Sequence, residues 1–153
     1  MSLQTECSQL QEIPLFRNLD VSTCKLVAVS SDRVTYEPGD VVFEKGEPSD
    51  SVFFLLSGRV RIIREDGETS LELGVVEDGN VFGETGVICG RARSATVVAA
   101  VETTVLRTER EAFLELLQCK PLVSLALTRE LAKRLDTVNG RLFEVTSGRP
   151  AHG

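Results

Sequence analysis

Three textures of apolar and polar positions follow one another along the chain. In the first thirty residues the apolar side chains cluster at helical spacing. Leu10, Ile13, Leu15 and Phe16 gather around Pro14, and Asp20 stands where it can cap a helix over the run Val21 to Val29. From Asp32 to Arg107 short β-rich runs take over: Arg33–Tyr36, Val41–Phe43, Val52–Leu56, Val60–Ile63, Leu71–Leu73, Thr96–Val101 and Thr104–Leu106. Between them stand turn signals such as Pro38-Gly39-Asp40, Gly46-Glu47-Pro48, Ser57-Gly58, Asp66-Gly67 and Asp78-Gly79-Asn80. Turn signals recurring every 8–12 residues or so predict an antiparallel sandwich or barrel. An immunoglobulin-like sandwich is the alternative, but the chain has no tryptophan for its core.

Beyond Arg110 the helical period returns. Glu111–Leu117 predicts a short helix. Pro121 can open another, whose Val123, Leu127, Leu131, Leu135, Val138 and Leu142 form one apolar stripe. Gly140 interrupts that stripe and could end or bend the helix. The chain thus divides into an N-terminal helical segment (1–30), a β-barrel (31–109), C-terminal helices (110–145) and a polar tail (146–153) expected to be disordered.

Composition narrows the chemistry. The 153 residues suit one domain, and 42% hydrophobic with 26% charged residues is an ordinary globular balance. No apolar run reaches the roughly 20 residues of a membrane-spanning helix. A net charge of -6 argues against broad nucleic-acid contact. The one histidine, His152, stands next to the last residue, so His-ligated metals and His-based catalysis are excluded from the body of the chain. Cys7, Cys24, Cys89 and Cys119 form no C-x-x-C pair, and no secretory signal is visible, so reduced thiols in a cytoplasmic protein are expected.

One stretch inside the β region, Val81 to Val97, does not alternate like a strand. Gly83-Glu84-Thr85-Gly86 could start a single helical turn, whose unpaired backbone N–H groups attract an anion. Arg93, nine residues after Glu84, could grip a phosphate through two parallel hydrogen bonds. Glu84 would repel a bare anion. It makes sense beside a ligand carrying a hydroxyl close to its phosphate, because a carboxylate can accept that proton while Arg93 holds the charge. A cyclic phosphate on ribose has that geometry in compact form. The same residues also fit a plainer reading, with Glu84 favouring a helix N-terminus and Arg93 a solvated surface charge.

Phe82-Gly83-Glu84, the apolar turn Thr85–Ile88, and Ala92-Arg93-Ser94-Ala95-Thr96 resemble the phosphate-binding cassette of cyclic nucleotide-binding domains. These occur in regulatory subunits of cAMP-dependent kinase, cyclic-nucleotide-gated channels and bacterial catabolite-activator-type transcription factors. The likeness extends to Tyr36–Phe43, Gly46-Glu47, Ser51–Gly58, the motif Ile13–Phe16 and the helix Glu130–Leu135, and so covers about residues 8 to 145. Ala92 departs from the family's proline, Thr85-Gly86 from its commoner Leu-Ala, and Ser49 from a position often held by glycine or alanine.

The resemblance implies a mainly β fold with flanking helices: an antiparallel double-stranded β-helix (jelly-roll) barrel followed by a long C-terminal helix. It implies a ligand, cAMP or cGMP, rather than a cofactor. Gly83, Thr85 and the backbone after Gly83 would meet the ribose–phosphate edge. Glu84 would accept the 2′-hydroxyl and Arg93 would neutralise the phosphate, with Ser94 and the Ala95 N–H adding hydrogen bonds. Phe43 and Leu73 would line the pocket, and Thr137, Val138 and Asn139 would cover the purine. Serine at position 94 matches the cAMP-binding transcription factors, so cAMP is expected over cGMP. The chain would act as a regulatory sensor and not an enzyme. It would report through its C-terminal helix to a homodimer partner, an output domain or another protein outside this chain, with no nucleic-acid or membrane contact of its own. A ligand-independent structural or dimerisation module of the same fold is the alternative. An enzyme on a cupin-like barrel would need clustered histidines that the chain lacks.

Overall fold

A computed structural model describes residues 3–17 and 19–146. Residues 147–153, where the disordered tail is expected, lie outside the described residues. The chain opens with helix α1 (Leu3–Gln11), a 3-10 turn (Pro14–Phe16) and helix α2 (Val21–Val29). Asp20 caps α2 as its position predicts, its carboxylate accepting from the Thr23 N–H and hydroxyl. Eight strands follow: β1 (Ser31–Tyr36), β2 (Val41–Phe43), β3 (Ser51–Ser57), β4 (Arg59–Asp66), β5 (Thr69–Glu77), β6 (Val81–Phe82), β7 (Thr96–Ala99) and β8 (Thr103–Glu109). Helix α3 (Glu84–Cys89) lies between β6 and β7, and helices α4 (Arg110–Cys119) and α5 (Pro121–Thr146) close the chain.

The strands form two four-stranded sheets, β1-β8-β3-β6 and β2-β7-β4-β5, with every pairing antiparallel. This is the jelly-roll-like β architecture that the turn spacing and the resemblance predict. The run Val52-Phe53-Phe54-Leu55 reads as continuously apolar because β3 is buried on both faces. Phe53 and Leu55 face the barrel interior with Phe43, Val60, Phe82, Val97 and Val105. Val52 and Phe54 face the helices, where Phe54 meets Phe16 edge-on at 5.1 Å. Helix α5 runs unbroken through Gly140, yet only Val123 and Leu127 of its apolar stripe are buried.

The structure departs from the sequence pattern at two strands. β6, two residues paired to β3 at Phe53↔Phe82 and Phe54↔Val81, is too short to show alternation. The strand expected over Thr96–Val101 ends at Ala99, where the chain turns toward β8.

Candidate functional site

The stretch between β6 and β7 folds as a turn, a short helix and a return. Gly83 takes a left-handed conformation (φ +78) that lets the chain leave β6 and enter α3. A Cβ at this position would lie 3.0 Å from Arg93 Nη1 and 3.2 Å from Phe53 Cδ2. The β2–β3 loop clamps the returning strand: the Arg93 N–H donates to Glu47 O at 2.8 Å, and the Gly46 N–H donates to Arg93 O at 2.8 Å. Gly86 is the other necessary glycine, because a Cβ there would stand 2.1 Å from Ser49 Oγ and 2.9 Å from Ser49 Cβ. The two departures at Ser49 and Gly86 thus fit one another: the larger residue in the loop is seated on the smaller one in the helix.

Two charged side chains are buried here, and they are satisfied differently. Glu84 is 3% exposed, and its Oε1 accepts from Arg134 Nη1 at 2.7 Å. Arg134, on α5, also donates from Nη2 to Val81 O at 2.9 Å, so one guanidinium ties α5 to β6 and α3. Arg93 is 5% exposed. Its Nη1 donates to Gly83 O at 2.7 Å and its Nη2 to Ser51 O at 2.6 Å, while its guanidinium lies 4.1 Å from the centre of the Phe43 ring. Its Nε is buried without a partner. Among the described residues no carboxylate comes within ion-pair distance of it. Burial therefore pulls its pKa below the ordinary arginine value, yet an arginine remains a cation in a protein. Two carbonyl dipoles, a ring face and the more distant carboxylates of Asp50, Glu47 and Glu84 offset part of the desolvation cost, but no direct ion pair does.

Both groups open on one cavity of about 170 Å³. Phe43, Ile62, Val76, Phe82 and Val97 make its apolar wall, and Glu84, Thr85, Arg93, Ser94 and Arg134 its polar end. A shallower hollow beside Asp50 is larger, but its charges answer one another, with Arg107 paired to Asp50 at 3.4 Å.

Gly83, Glu84, Thr85, Arg93, Ser94, Ala95 and Phe43, expected from the sequence, all line the smaller cavity. Arg93 is no solvated surface charge, as the plainer reading had it. Leu73 is not brought there. A register shift between Ile62 and Ile63 leaves it unpaired and about half exposed on β5, so Ile62 and Val76 form that part of the wall. Thr137, Val138 and Asn139 are exposed on α5, past the point where Arg134 reaches the rim. Arg134 is the residue that sequence reasoning missed. It lies within the Glu130–Leu135 motif, three positions after the stripe residue Leu131, but nothing local points to a carboxylate fifty residues away.

Comparison with known proteins agrees with this geometry. The model of the cyclic nucleotide-binding domain family matches residues 33–119. The chain is 32% identical to the Cyclic AMP receptor protein of Thermus thermophilus over 91% of its own length and 67% of that protein's. It is 31% identical, over 82% of its length, to an uncharacterized NTE family protein of Mycobacterium tuberculosis, of which it spans only 21%. Among solved structures, the sensor domain of the transcriptional regulator DNR from Pseudomonas aeruginosa superposes with a TM-score of 0.76 at 31% identity, covering 87% of this chain and 90% of that one. The Thermus thermophilus Catabolite Activator Protein gives 0.77 at 30% identity, covering 87% and 63%. With its cassette, barrel and C-terminal helix in place, the chain belongs to the cyclic nucleotide-binding domain family.

Proposed function

We propose that this chain is a sensor that binds a 3′,5′-cyclic nucleotide, cAMP in preference to cGMP, and relays its presence through α5 without transforming it. The observation that carries the reading is Arg93: a buried cation without a carboxylate partner, with an orphaned N–H, at the polar end of a cavity. A cyclic phosphate would supply the missing negative charge. Its ribose would present the 2′-hydroxyl to Glu84, and its base would lie against Ile62, Val76 and Val97.

Arg134 resolves the paradox of a carboxylate beside an anion. It neutralises Glu84, so the carboxylate can accept a sugar hydroxyl with less repulsion of the phosphate. It also gives the ligand a route outward, because whatever shifts Glu84 acts on α5. The expected mechanism is a population shift in which ligand favours the state with α5 drawn over the base, bringing Val138 and Asn139 to it. Useful coupling is about 1–3 kcal/mol.

The far half of α5 suggests how the shift is read. Leu135, Val138, Leu142 and Val145 are all more than half exposed and recur at alternating intervals of three and four, the seam of a two-stranded coiled coil. A second copy of the chain, packed through this seam, is the partner we assign. The transcription-factor relatives support a signalling rather than a catalytic role. No helix among the described residues is long and apolar enough to cross a membrane. The DNA reader, enzyme or channel that would use the signal is not among the elements described.

Competition of cAMP and cGMP against a fluorescent cAMP analogue tests the reading. Displacement by both, with cAMP ahead by about tenfold or less, is expected. No displacement by either would leave the structural-module alternative standing.

A further inference from the structure

Away from the cavity, two thiols are buried together. Cys7 on α1 is 4% exposed and Cys24 on α2 is fully buried, and both belong to the core under the helices. The Cys7 Sγ lies 3.9 Å from the Val21 carbonyl, in the first turn of α2, and Cys24 stands one turn further along that helix. The Cys7 Sγ thus faces the turn of α2 that leads to Cys24, and both thiols are free. The other two cysteines, Cys89 and Cys119, are exposed and belong to neither helix.

We propose that Cys7 and Cys24 are a redox clasp: a low-molecular-weight disulfide such as oxidised glutathione converts them to a disulfide that pins α1 to α2. One protein thiolate attacks the oxidant's S–S bond, forming a mixed disulfide and releasing one small thiol. The second protein sulfur then attacks the mixed disulfide, releasing the other small thiol and closing the Cys7–Cys24 bond. The protein gives up two electrons and two protons, and the oxidant's disulfide is reduced to two thiols.

The clasp is gated by α1. Burial pushes the Cys24 thiol up to about 11, so it is poorly nucleophilic while packed. Helix α1 has nine residues, too few to hold a helix alone, so it depends on its packing against α2, and only release of that packing would expose the pair. Once closed, the bond fixes the 3-10 turn between the two helices. That turn packs against α5, the helix that carries Arg134 to the cavity.

The experiment uses the full chain as a Cys89→Ser/Cys119→Ser double variant, which leaves only the buried pair. It is incubated with excess oxidised glutathione, denatured, alkylated and weighed. The expected product has lost the mass of two hydrogens, carries no alkyl group, yields a Cys7–Cys24 cross-linked peptide, and melts several degrees higher until reductant is added. A further Cys7→Ser change should abolish the cross-link and leave Cys24 free or joined to one glutathione. Two alkylated thiols, or two bound glutathiones, in the double variant would overturn the clasp.

Discussion

The two ends of the cavity hold buried charge in opposite ways. At one end Glu84 already has its counter-ion, Arg134, and that pair spans from α3 to α5. At the other end Arg93 has two carbonyls, a ring face and no ion-pair partner. An isolated buried charge is expensive, and a fold keeps one where something else completes it. One end is electrostatically complete and the other is not. In the sensor we propose, Arg93's end would gain the ligand's charge and Glu84's end would pass that gain to α5.

The largest effect is expected at Arg93. Replacing it with alanine should weaken cAMP binding by about thirtyfold to several thousandfold, since truncating one member of a buried charge pair costs roughly 2–5 kcal/mol. Calorimetry, with folding checked by circular dichroism, measures this. Glu84→Gln should cost less, about tenfold to a hundredfold, because a hydrogen bond to a charged group contributes about 1.5–3 kcal/mol. The loss should overlap that of 2′-deoxy-cAMP on the wild type, since both remove one hydrogen bond. Fully additive losses would mean that Glu84 acts through something other than the hydroxyl.

A third change separates packing from charge. Gly86→Ala should destabilise the domain by about 1–3 kcal/mol through its collision with Ser49, seen as a lowered denaturant midpoint. Adding Ser49→Gly should restore most of that loss, and a double variant no better than the single would break the proposed fit between the two positions. The smallest effect is expected at Ser94, exposed at the cavity's edge. Ser94→Ala should lower affinity by about tenfold or less, for both nucleotides if the hydroxyl serves the phosphate and mainly for cGMP if it serves the base.

Much of this was legible in the sequence because it is local. Strand alternation, glycine-bearing turns and the Asp20 cap act over a few residues, and the cassette places Glu84 and Arg93 within one short segment. What escaped depends on distance or register. The Arg134–Glu84 pair joins two elements fifty positions apart. The loss of Leu73 from the wall follows from a register shift that no apolar pattern announces. The exposed far half of α5 reads in the sequence as the same stripe that buries Val123 and Leu127, because periodicity reports a face and not what covers it.

The most direct test is calorimetric titration of nucleotide-free protein with cAMP, run beside the Arg93→Ala variant. Saturable binding at one site per chain, weakened about thirtyfold or more in the variant, is the expected result. No heat of binding to the wild type, or equal affinity in the two proteins, would contradict the assignment of Arg93 as the phosphate's counter-charge.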